Sequence, residues 1–255
     1  MNRRPLAAAA ALVLVTSLTA CAGERGPGGA DLAGDEITVF AAASLSIAFE
    51  EIGKQFTEET GIGVTFSYAG SQDLVAQVLE GAPADVLATA DELTMQRVVT
   101  EAPELVEAEP RSFATNTLII ATPPGNRAGV TSWADLADDD LALVMCAPEV
   151  PCGASAKRVE AATGVRLHPV SEESNVSDVL AKVVAGEADA GLVYETDIVT
   201  AKVDIVPCPE CIEDKNTYQA APLAGAHPEA ARAFIDFLVS EIGTGVLLGL
   251  GFGDT

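Results

Sequence analysis

Basic residues and histidines are scarce in this chain. Its 255 residues include 14 Lys or Arg, 38 Asp or Glu and 2 His, and the formal net charge is −24. A surface this acidic is a poor partner for nucleic acid or for an anionic membrane. We interpret His168 and His227 as structural, because neither has a plausible catalytic partner in the sequence. The composition therefore argues against a nucleic-acid-binding protein and against a triad enzyme.

Long apolar runs are missing after the N-terminus, so the sequence predicts no transmembrane helix there. The one early run, 6–15, is too short to span a bilayer and follows a short positive segment, as in a secretory signal. It leads into Leu-Thr-Ala-Cys, which resembles the bacterial lipoprotein signal. We predict a lipoprotein signal peptide at 1–21 with a lipidated Cys21, and a flexible linker at 22–35. Only the lipid would hold the protein at the outer face of the cell membrane.

Four cysteines remain beyond Cys21, and they form two close pairs in the sequence. An even number outside the cytoplasm predicts two disulfides, Cys146–Cys152 and Cys208–Cys211. The second pair, in a CPEC motif, could instead be a redox site or half of a zinc site. Prolines flank it, no helical pattern follows it, and no second ligand pair has suitable spacing. We favour a structural disulfide over a redox role, and a redox role over zinc.

Strand and helix patterns alternate along the first part of the chain. The stretch ITVFAAASL (37–45) predicts a strand that turns directly into a helix, with Ser44 as the N-cap. A second strand, 64–69, leads into a helix that begins near Ser71. This alternation predicts a mostly parallel sheet with helices on both faces, in which ligands lie beyond the carboxyl ends of the strands. Both serines fall at such turns, where free N–H groups and a hydroxyl suit an anion.

The strand-helix rhythm restarts in the middle of the chain, where one of the predicted strands is 165–170. We predict two α/β lobes, lobe 1 from 36–116 plus 222–255 and lobe 2 from 117–221, joined by two crossing segments. A cleft between two such lobes is a common binding place, and the crossings provide a hinge for closure.

Several motifs together resemble one known family. They are ITVFAAASL, the 68–91 run with GAPADV, PEVPCGASAK (148–157), the 174–197 run that ends in GLVYETD, and the closing GFG (251–253). The sequence resembles the periplasmic molybdate-binding proteins of ABC importers, which have the two-lobed type II solute-binding fold. The resemblance implies a binding protein rather than an enzyme. It also implies no cofactor, a molybdate or tungstate ligand, and an ABC transporter permease as partner.

In that family the tetrahedral oxyanion is held without charged side chains. The resemblance implies five ligand-binding residues, which are Ser44, Ser71, Cys152, Val176 and Tyr194. The two serines would donate from lobe 1, the backbone N–H groups of Cys152 and Val176 from lobe 2, and Tyr194 through its phenol. The chain departs from the family at Cys152, where a small residue is usual, and at Gln72-Asp73, where serines or glycine are usual.

The chemistry of the anion agrees with such a donor set. Molybdate is fully deprotonated near neutral pH, so its oxygens only accept hydrogen bonds, whereas phosphate keeps a proton and needs an acceptor. We therefore predict a monomeric extracytoplasmic lipoprotein that captures molybdate and delivers it to an importer. One alternative is a binder of another tetrahedral oxyanion such as sulfate. A further alternative is a thiol oxidoreductase that uses Cys208 and Cys211.

Overall fold

A computed structural model describes residues 32–255. The predicted signal peptide, Cys21 and most of the predicted linker lie outside the described residues, so the lipidation of Cys21 stays a prediction. In the described part, no helix has both the length and the apolar character needed to cross a membrane.

The described chain alternates strands and helices. The strands are β1 (Glu36–Ala42), β2 (Gly63–Ala69), β3 (Val86–Thr89), β4 (Arg111–Thr122), β5 (Leu143–Cys146), β6 (Ser171–Glu173), β7 (Ala190–Tyr194), β8 (Asp204–Val206) and β9 (Lys215–Pro222). The helices are α1 (Ser46–Thr60), α2 (Ser71–Leu79), α3 (Glu92–Glu101), α4 (Pro151–Thr163), α5 (Val176–Ala185), α6 (Pro209–Ile212), α7 (Pro228–Leu238) and α8 (Glu241–Gly249). Short 3-10 helices cover Ala43–Leu45, Pro103–Leu105, Trp133–Ala137 and Glu195–Ile198.

Helix α1 shows how the sequence pattern produces a packed element. Its apolar residues Phe49, Ile52 and Phe56 recur at helical spacing, and all three are fully buried on one face. The helix ends at Gly61, which adopts the left-handed conformation with φ of 76°. Glycine enters that region without the steric cost of a Cβ, so it stops the helix and lets the chain turn into β2.

The strands form a two-lobed mixed sheet in the order β2-β1-β3-β9-β4-β7-β5-β6, with β8 on β4. The outer pairs β1–β2, β1–β3, β5–β6 and β5–β7 are parallel, as the strand-helix alternation predicts. Antiparallel β4 and β9 cross the middle of the molecule. The first part of β4 pairs with β9, and its second part pairs with β7 and β8. The two crossing segments of the predicted fold are these strands.

Separate apolar cores lie on either side of the crossing strands. One core collects buried residues between Leu118 and Cys211, and the others collect residues from 37–114 and 218–252. We call the part around the first core lobe 2 and the part around the other cores lobe 1. The predicted boundaries at 117 and 221 stay a prediction.

The strand predicted at 165–170 does not form. That segment is irregular, and the short strand β6 follows it at Ser171–Glu173. Pro169 has no N–H to give to a ladder, and the N–H of Leu167 donates to Glu160 Oε1 at 2.6 Å instead. His168 therefore lies in a loop rather than in a strand.

Both predicted disulfides are present. Cys146–Cys152 joins the end of β5 to the first turn of α4, with a Cα–Cα distance of 5.7 Å. Cys208–Cys211 closes the first turn of α6, with a Cα–Cα distance of 5.3 Å. All four cysteines are buried.

Candidate functional site

One cleft cavity brings the five predicted site residues together. Ser44, Ser71, Cys152, Val176 and Tyr194 all line it. Lobe 1 contributes the turns that follow β1, β2 and β3. Lobe 2 contributes the first residues of α4 and α5 and the end of β7. The site thus lies at the carboxyl ends of parallel strands, where ligands of open α/β sheets bind.

The turn after β1 differs from the predicted one. Ser44 is not the N-cap of α1, because a 3-10 turn at Ala43–Leu45 separates the strand from the helix and the cap position falls on Leu45. The extra turn directs the Ser44 hydroxyl away from the α1 backbone, and its Oγ lies 2.9 Å from the Tyr218 hydroxyl. Ser44 is 8% exposed and lies beside alanines, so an anion could approach the backbone closely.

The turn after β2 places Ser71 as the first residue of α2, with Gly70 as the N-cap. The Ser71 Oγ accepts a hydrogen bond from the N–H of Ala90 at 3.0 Å, which leaves the hydroxyl proton for another acceptor. A Cβ at Gly70 would lie 2.2 Å from the carbonyl oxygen of Ser174 in lobe 2. The absence of a side chain at this position therefore allows the lobes to touch.

Gln72 bridges the cleft, and Asp73 does not reach it. The Gln72 Nε2 donates to the Ser174 carbonyl oxygen at 2.9 Å and so links the two lobes. Asp73 is exposed, lies in the first turn of α2, and does not line the cavity. The Asp73 carboxylate therefore faces solvent and not the cleft.

Two helix N-termini form part of the lobe 2 wall. Cys152 is the second residue of α4, whose N-cap Val150 provides no side-chain hydrogen bond. Val176 is the first residue of α5, whose N-cap Asn175 accepts from the N–H of Asp178. The first N–H groups of a helix have no partner within the helix, and the dipole adds positive potential there. These two turns can therefore bind an anion through the backbone.

Tyr194 ends β7 with its side chain 1% exposed. Its hydroxyl forms a short hydrogen bond with Asn216 Nδ2. Burial, together with the nearby Tyr218 and Asp91, raises the pKa of Tyr194 well above that of a free tyrosine. The phenol therefore keeps its proton at neutral pH and can donate it.

The cavity wall is neutral. Within residues 32–255, every residue that lines the cavity is uncharged. The nearby Asp91 carboxylate is occupied as the N-cap of α3, where it accepts from the N–H of Thr94 at 2.9 Å. Among the same residues, no group of three or more His, Cys, Asp or Glu side chains could hold a metal ion. The arrangement suits an anion that is held by neutral donors.

Sequence reasoning missed three residues that support the site. They are Asn116, Asn216 and Tyr218. Asn216 donates to the Tyr194 hydroxyl, Tyr218 hydrogen-bonds to Ser44 Oγ, and Asn116 lies within hydrogen-bond distance of the Tyr218 hydroxyl. They lie on β4 and β9, far in sequence from the turns that they support, and no local motif marks them. Their pairing across the crossing strands becomes visible only in the folded protein.

The CPEC motif does not belong to the cleft. Cys208 and Cys211 are 5% and 0% exposed and do not line the cavity. A reactive thiol pair needs access to its partner, and a disulfide leaves no thiolate for zinc. The buried pair acts as a structural disulfide at the start of α6.

A neutral cleft between two α/β lobes, walled by helix N-termini, defines a class of solute-binding proteins. Residues 37–253 match the family of bacterial extracellular solute-binding proteins, and the chain belongs to this family. Its members are extracytoplasmic binding proteins and not enzymes, so an oxidoreductase role for Cys208 and Cys211 has no support.

Individual relatives show which solute-binding proteins this chain is similar to. The chain is 42% identical over 247 residues to the molybdate-binding protein ModA of Mycobacterium tuberculosis, and the match covers 94% of each chain. The solved periplasmic molybdate-binding protein of Azotobacter vinelandii has a TM-score of 0.72 at 21% identity, covering 85% of this chain and 98% of that one. The solved sulfate-binding protein SubI of M. tuberculosis has a TM-score of 0.74 at 20% identity, covering 87% of each. The two structural likenesses show the shared fold.

Proposed function

We propose that this protein captures molybdate in the cleft between its lobes. The observation that carries the proposal is the convergence of Ser44, Ser71, Cys152, Val176 and Tyr194 on one cavity with no charged wall residue. The similarity to the M. tuberculosis molybdate-binding protein over nearly the whole chain supports it. The five residues act as the ligand-binding set.

The donor set fits an acceptor-only dianion. Each hydrogen bond from a neutral donor to a charged acceptor contributes about 1.5–3 kcal/mol. Several such bonds can offset the removal of water from the anion, and no carboxylate in the wall repels it. The acidic surface does not exclude the ligand, because exposed charges farther than about 10 Å away are screened by salt. Tungstate has nearly the same size and the same charge, so it binds as well.

Transport completes the proposal. A lipid on Cys21 tethers the monomeric protein to the outer face of the cell membrane, and the loaded protein delivers its oxyanion to the permease of an ABC importer. The Cys21→Ser variant tests the tether. It should move the protein from the membrane fraction to the soluble extracytoplasmic fraction, and an unchanged distribution would contradict lipid anchoring.

Sulfate binding is the second candidate. It is supported by the fold that this chain shares with the sulfate-binding protein SubI. Sulfate is also acceptor-only and tetrahedral, but it is smaller. The donors would have to close further around it, so discrimination depends on the size of the closed cavity.

Calorimetry with four anions separates the candidates. We expect molybdate and tungstate to bind at least about 100-fold more tightly than sulfate or phosphate, a difference of about 2.8 kcal/mol. Tight sulfate binding without a preference for molybdate would overturn the molybdate assignment and favour the second candidate. Binding of none of the four would overturn both.

A further inference from the structure

Three side-chain hydroxyls line the cleft, and each is held from behind by one neighbour. Ser71 is held by the N–H of Ala90, Ser44 by Tyr218, and Tyr194 by Asn216. A hydroxyl has one proton and can also accept. If its neighbour donates to it, its own proton is left for the cleft, and if its neighbour accepts, the cleft faces a lone pair. The neighbours therefore decide whether each hydroxyl keeps its proton for a ligand in the cleft.

The orientation of the Asn216 amide is fixed by two neighbours. Its Oδ1 lies 2.7 Å from Arg158 Nη2, and a guanidinium can only donate. Its Nδ2 lies 3.3 Å from the Pro151 carbonyl oxygen, which can only accept. Both contacts require the NH₂ group to face Tyr194. Asn216 therefore donates to the Tyr194 hydroxyl, whose own proton is left for the cleft.

Arg158 is held in place in turn. The Asp214 carboxylate accepts hydrogen bonds from the guanidinium Nε at 2.6 Å and Nη2 at 2.9 Å. The Ser155 hydroxyl donates to the same carboxylate at 2.5 Å. A bidentate pair of this kind fixes the plane of the guanidinium. Arg158 therefore presents its Nη2 donor to Asn216 in a defined direction.

Asn116 fixes the Ser44 hydroxyl by the same logic. Its Oδ1 accepts from the N–H of Thr117 at 3.0 Å, so its Nδ2 faces the other way. That Nδ2 donates to Thr196 Oγ1 at 2.8 Å and lies 3.4 Å from the Tyr218 hydroxyl. Within residues 32–255 the Tyr218 hydroxyl has two hydrogen-bond partners, Asn116 Nδ2, which can only donate, and Ser44 Oγ. Its buried proton therefore needs Ser44 Oγ as acceptor. Ser44 then accepts, and its own proton is left for the cleft.

The two amides are neighbours in the fold. Asn116 on β4 and Asn216 on β9 are paired in register across the crossing strands. They are 4% and 2% exposed. At Ser71 the backbone N–H of Ala90 has the same effect, because it too can only donate. All three hydroxyls thus keep their protons for an acceptor in the cleft.

We propose that Asn216, oriented by Arg158, and Asn116 are positioning residues that leave the protons of the Tyr194 and Ser44 hydroxyls for the ligand, and so favour oxyanions without a proton over oxyanions that carry one. Hydrogen phosphate also needs an acceptor for its own proton, which these donated protons do not provide. This inference rests on the proposed function, since it concerns the same cleft.

The Asn216→Asp variant tests the inference directly. The new carboxylate accepts from Arg158 and also from Tyr194, so the phenol proton turns away from the cleft and its lone pairs face it. We measure the affinities for molybdate and for phosphate at about pH 8, where both anions are doubly charged and the repulsion by the added charge cancels in their ratio. The preference for molybdate over phosphate should fall on the order of tenfold, as expected for one hydrogen bond to a charged acceptor.

Two further variants keep the test decisive. Gln219→Glu adds the same charge on the same strand outside this network, where Gln219 contacts Ser112 and Glu92, and it should leave the preference unchanged. Asn116→Asp acts on Ser44 through Tyr218 and should lower the preference as Asn216→Asp does. It replaces Asn216→Asp if thermal unfolding shows that the latter does not fold.

The outcomes separate this inference from the proposed function. Tight molybdate binding by the wild type, with an unchanged preference in a folded Asp variant, overturns the positioning role and leaves the proposed function intact. If the wild type binds sulfate instead, the molybdate assignment fails, and the same ratio is formed with sulfate, which also lacks a proton. If the wild type binds no oxyanion, both fail.

Discussion

The two walls of the cleft offer an anion different kinds of donor. In lobe 1, Ser44 and Ser71 present side-chain hydroxyls that the surrounding backbone and the crossing strands hold in place. In lobe 2, Cys152 and Val176 have side chains that cannot serve as strong donors, and only their backbone N–H groups at helix starts are available. Tyr194 is the exception in lobe 2. Side-chain changes should therefore affect binding strongly in lobe 1 and weakly at the helix starts of lobe 2.

The largest effect is expected where the walls touch. In Gly70→Ala the new Cβ would lie 2.2 Å from the Ser174 carbonyl oxygen and would hold the lobes apart. Loss of two or more lobe 2 donors, each worth about 1.5–3 kcal/mol, should weaken molybdate binding by about 100-fold or more. Calorimetry measures this. Gly245→Ala, where a Cβ meets nothing within 4 Å, is the control, and equal affinities of the two variants would contradict closure at Gly70.

Tyr194→Phe removes the hydroxyl donor that lobe 2 contributes to the cleft. The loss of one hydrogen bond to a charged acceptor should weaken molybdate binding about 10-fold to 100-fold. The fold should persist, because the ring stays buried and Asn216 keeps the Pro151 carbonyl oxygen as an acceptor. Calorimetry gives the affinity, and circular dichroism checks the fold. An affinity equal to that of the wild type would remove Tyr194 from the site.

Ser71→Ala and Ser44→Ala test the lobe 1 wall. Each should weaken molybdate binding by about 10-fold, the lower end for one charged hydrogen bond. Ser71→Ala should also lower the free energy of unfolding by about 1–3 kcal/mol, because the buried N–H of Ala90 loses its acceptor. Ser44→Ala should cost a similar amount, because the buried Tyr218 hydroxyl loses the acceptor of its proton. Urea unfolding measures both losses, and an unchanged free energy of unfolding in either variant would contradict the hydrogen bond assigned to that serine.

Lobe 2 should show a pH dependence through the carboxyl that supports Tyr194. Asp197 Oδ2 accepts from the Tyr194 N–H at 2.8 Å, and burial raises the pKa of Asp197 to about 7. The unfolded chain releases this proton near pH 4, so the folded state binds more protons between these values and loses stability as the pH rises. Urea unfolding at pH 5.5 and 7.5 should show a loss of about 1–2 kcal/mol that Asp197→Asn removes. A variant with the same pH slope as the wild type would exclude Asp197 as the cause.

The smallest effect on binding is expected at Val176. Val176→Ala keeps the backbone N–H at the start of α5, so molybdate affinity should change by no more than about twofold. The buried side chain loses two methyl groups, and the free energy of unfolding should fall by about 2 kcal/mol. A large affinity loss with little loss of stability would mean that the side chain, and not the backbone, contacts the ligand.

The sequence predicts what local patterns encode. The apolar period of α1 and the placement of serines after β1 and β2 can both be read from neighbouring residues. The resemblance to the molybdate-binding family adds the lobe 2 residues Cys152, Val176 and Tyr194. Both disulfides follow from close spacing of cysteines.

Other features are not marked by apolar periodicity. The strand predicted at 165–170 fails because Pro169 has no N–H for a ladder and because Glu160, seven residues earlier, takes the Leu167 N–H. Ser44 leaves the cap position because a 3-10 turn intervenes. Asn116 and Asn216 meet only when β4 and β9 pair, so their support of the cleft hydroxyls is a property of the tertiary structure.

The Cys146–Cys152 disulfide links formation of the complete cleft to the compartment in which the protein folds. It fastens the first turn of α4, and a Cβ at the adjacent Gly153 would lie 1.9 Å from the Ala147 carbonyl oxygen, so the helix start packs tightly against the end of β5. Disulfides form in oxidising compartments and are rare in the cytosol. The disulfide in the lobe 2 wall therefore forms only after export. The cleft takes its final form in the compartment where the family binds its ligands.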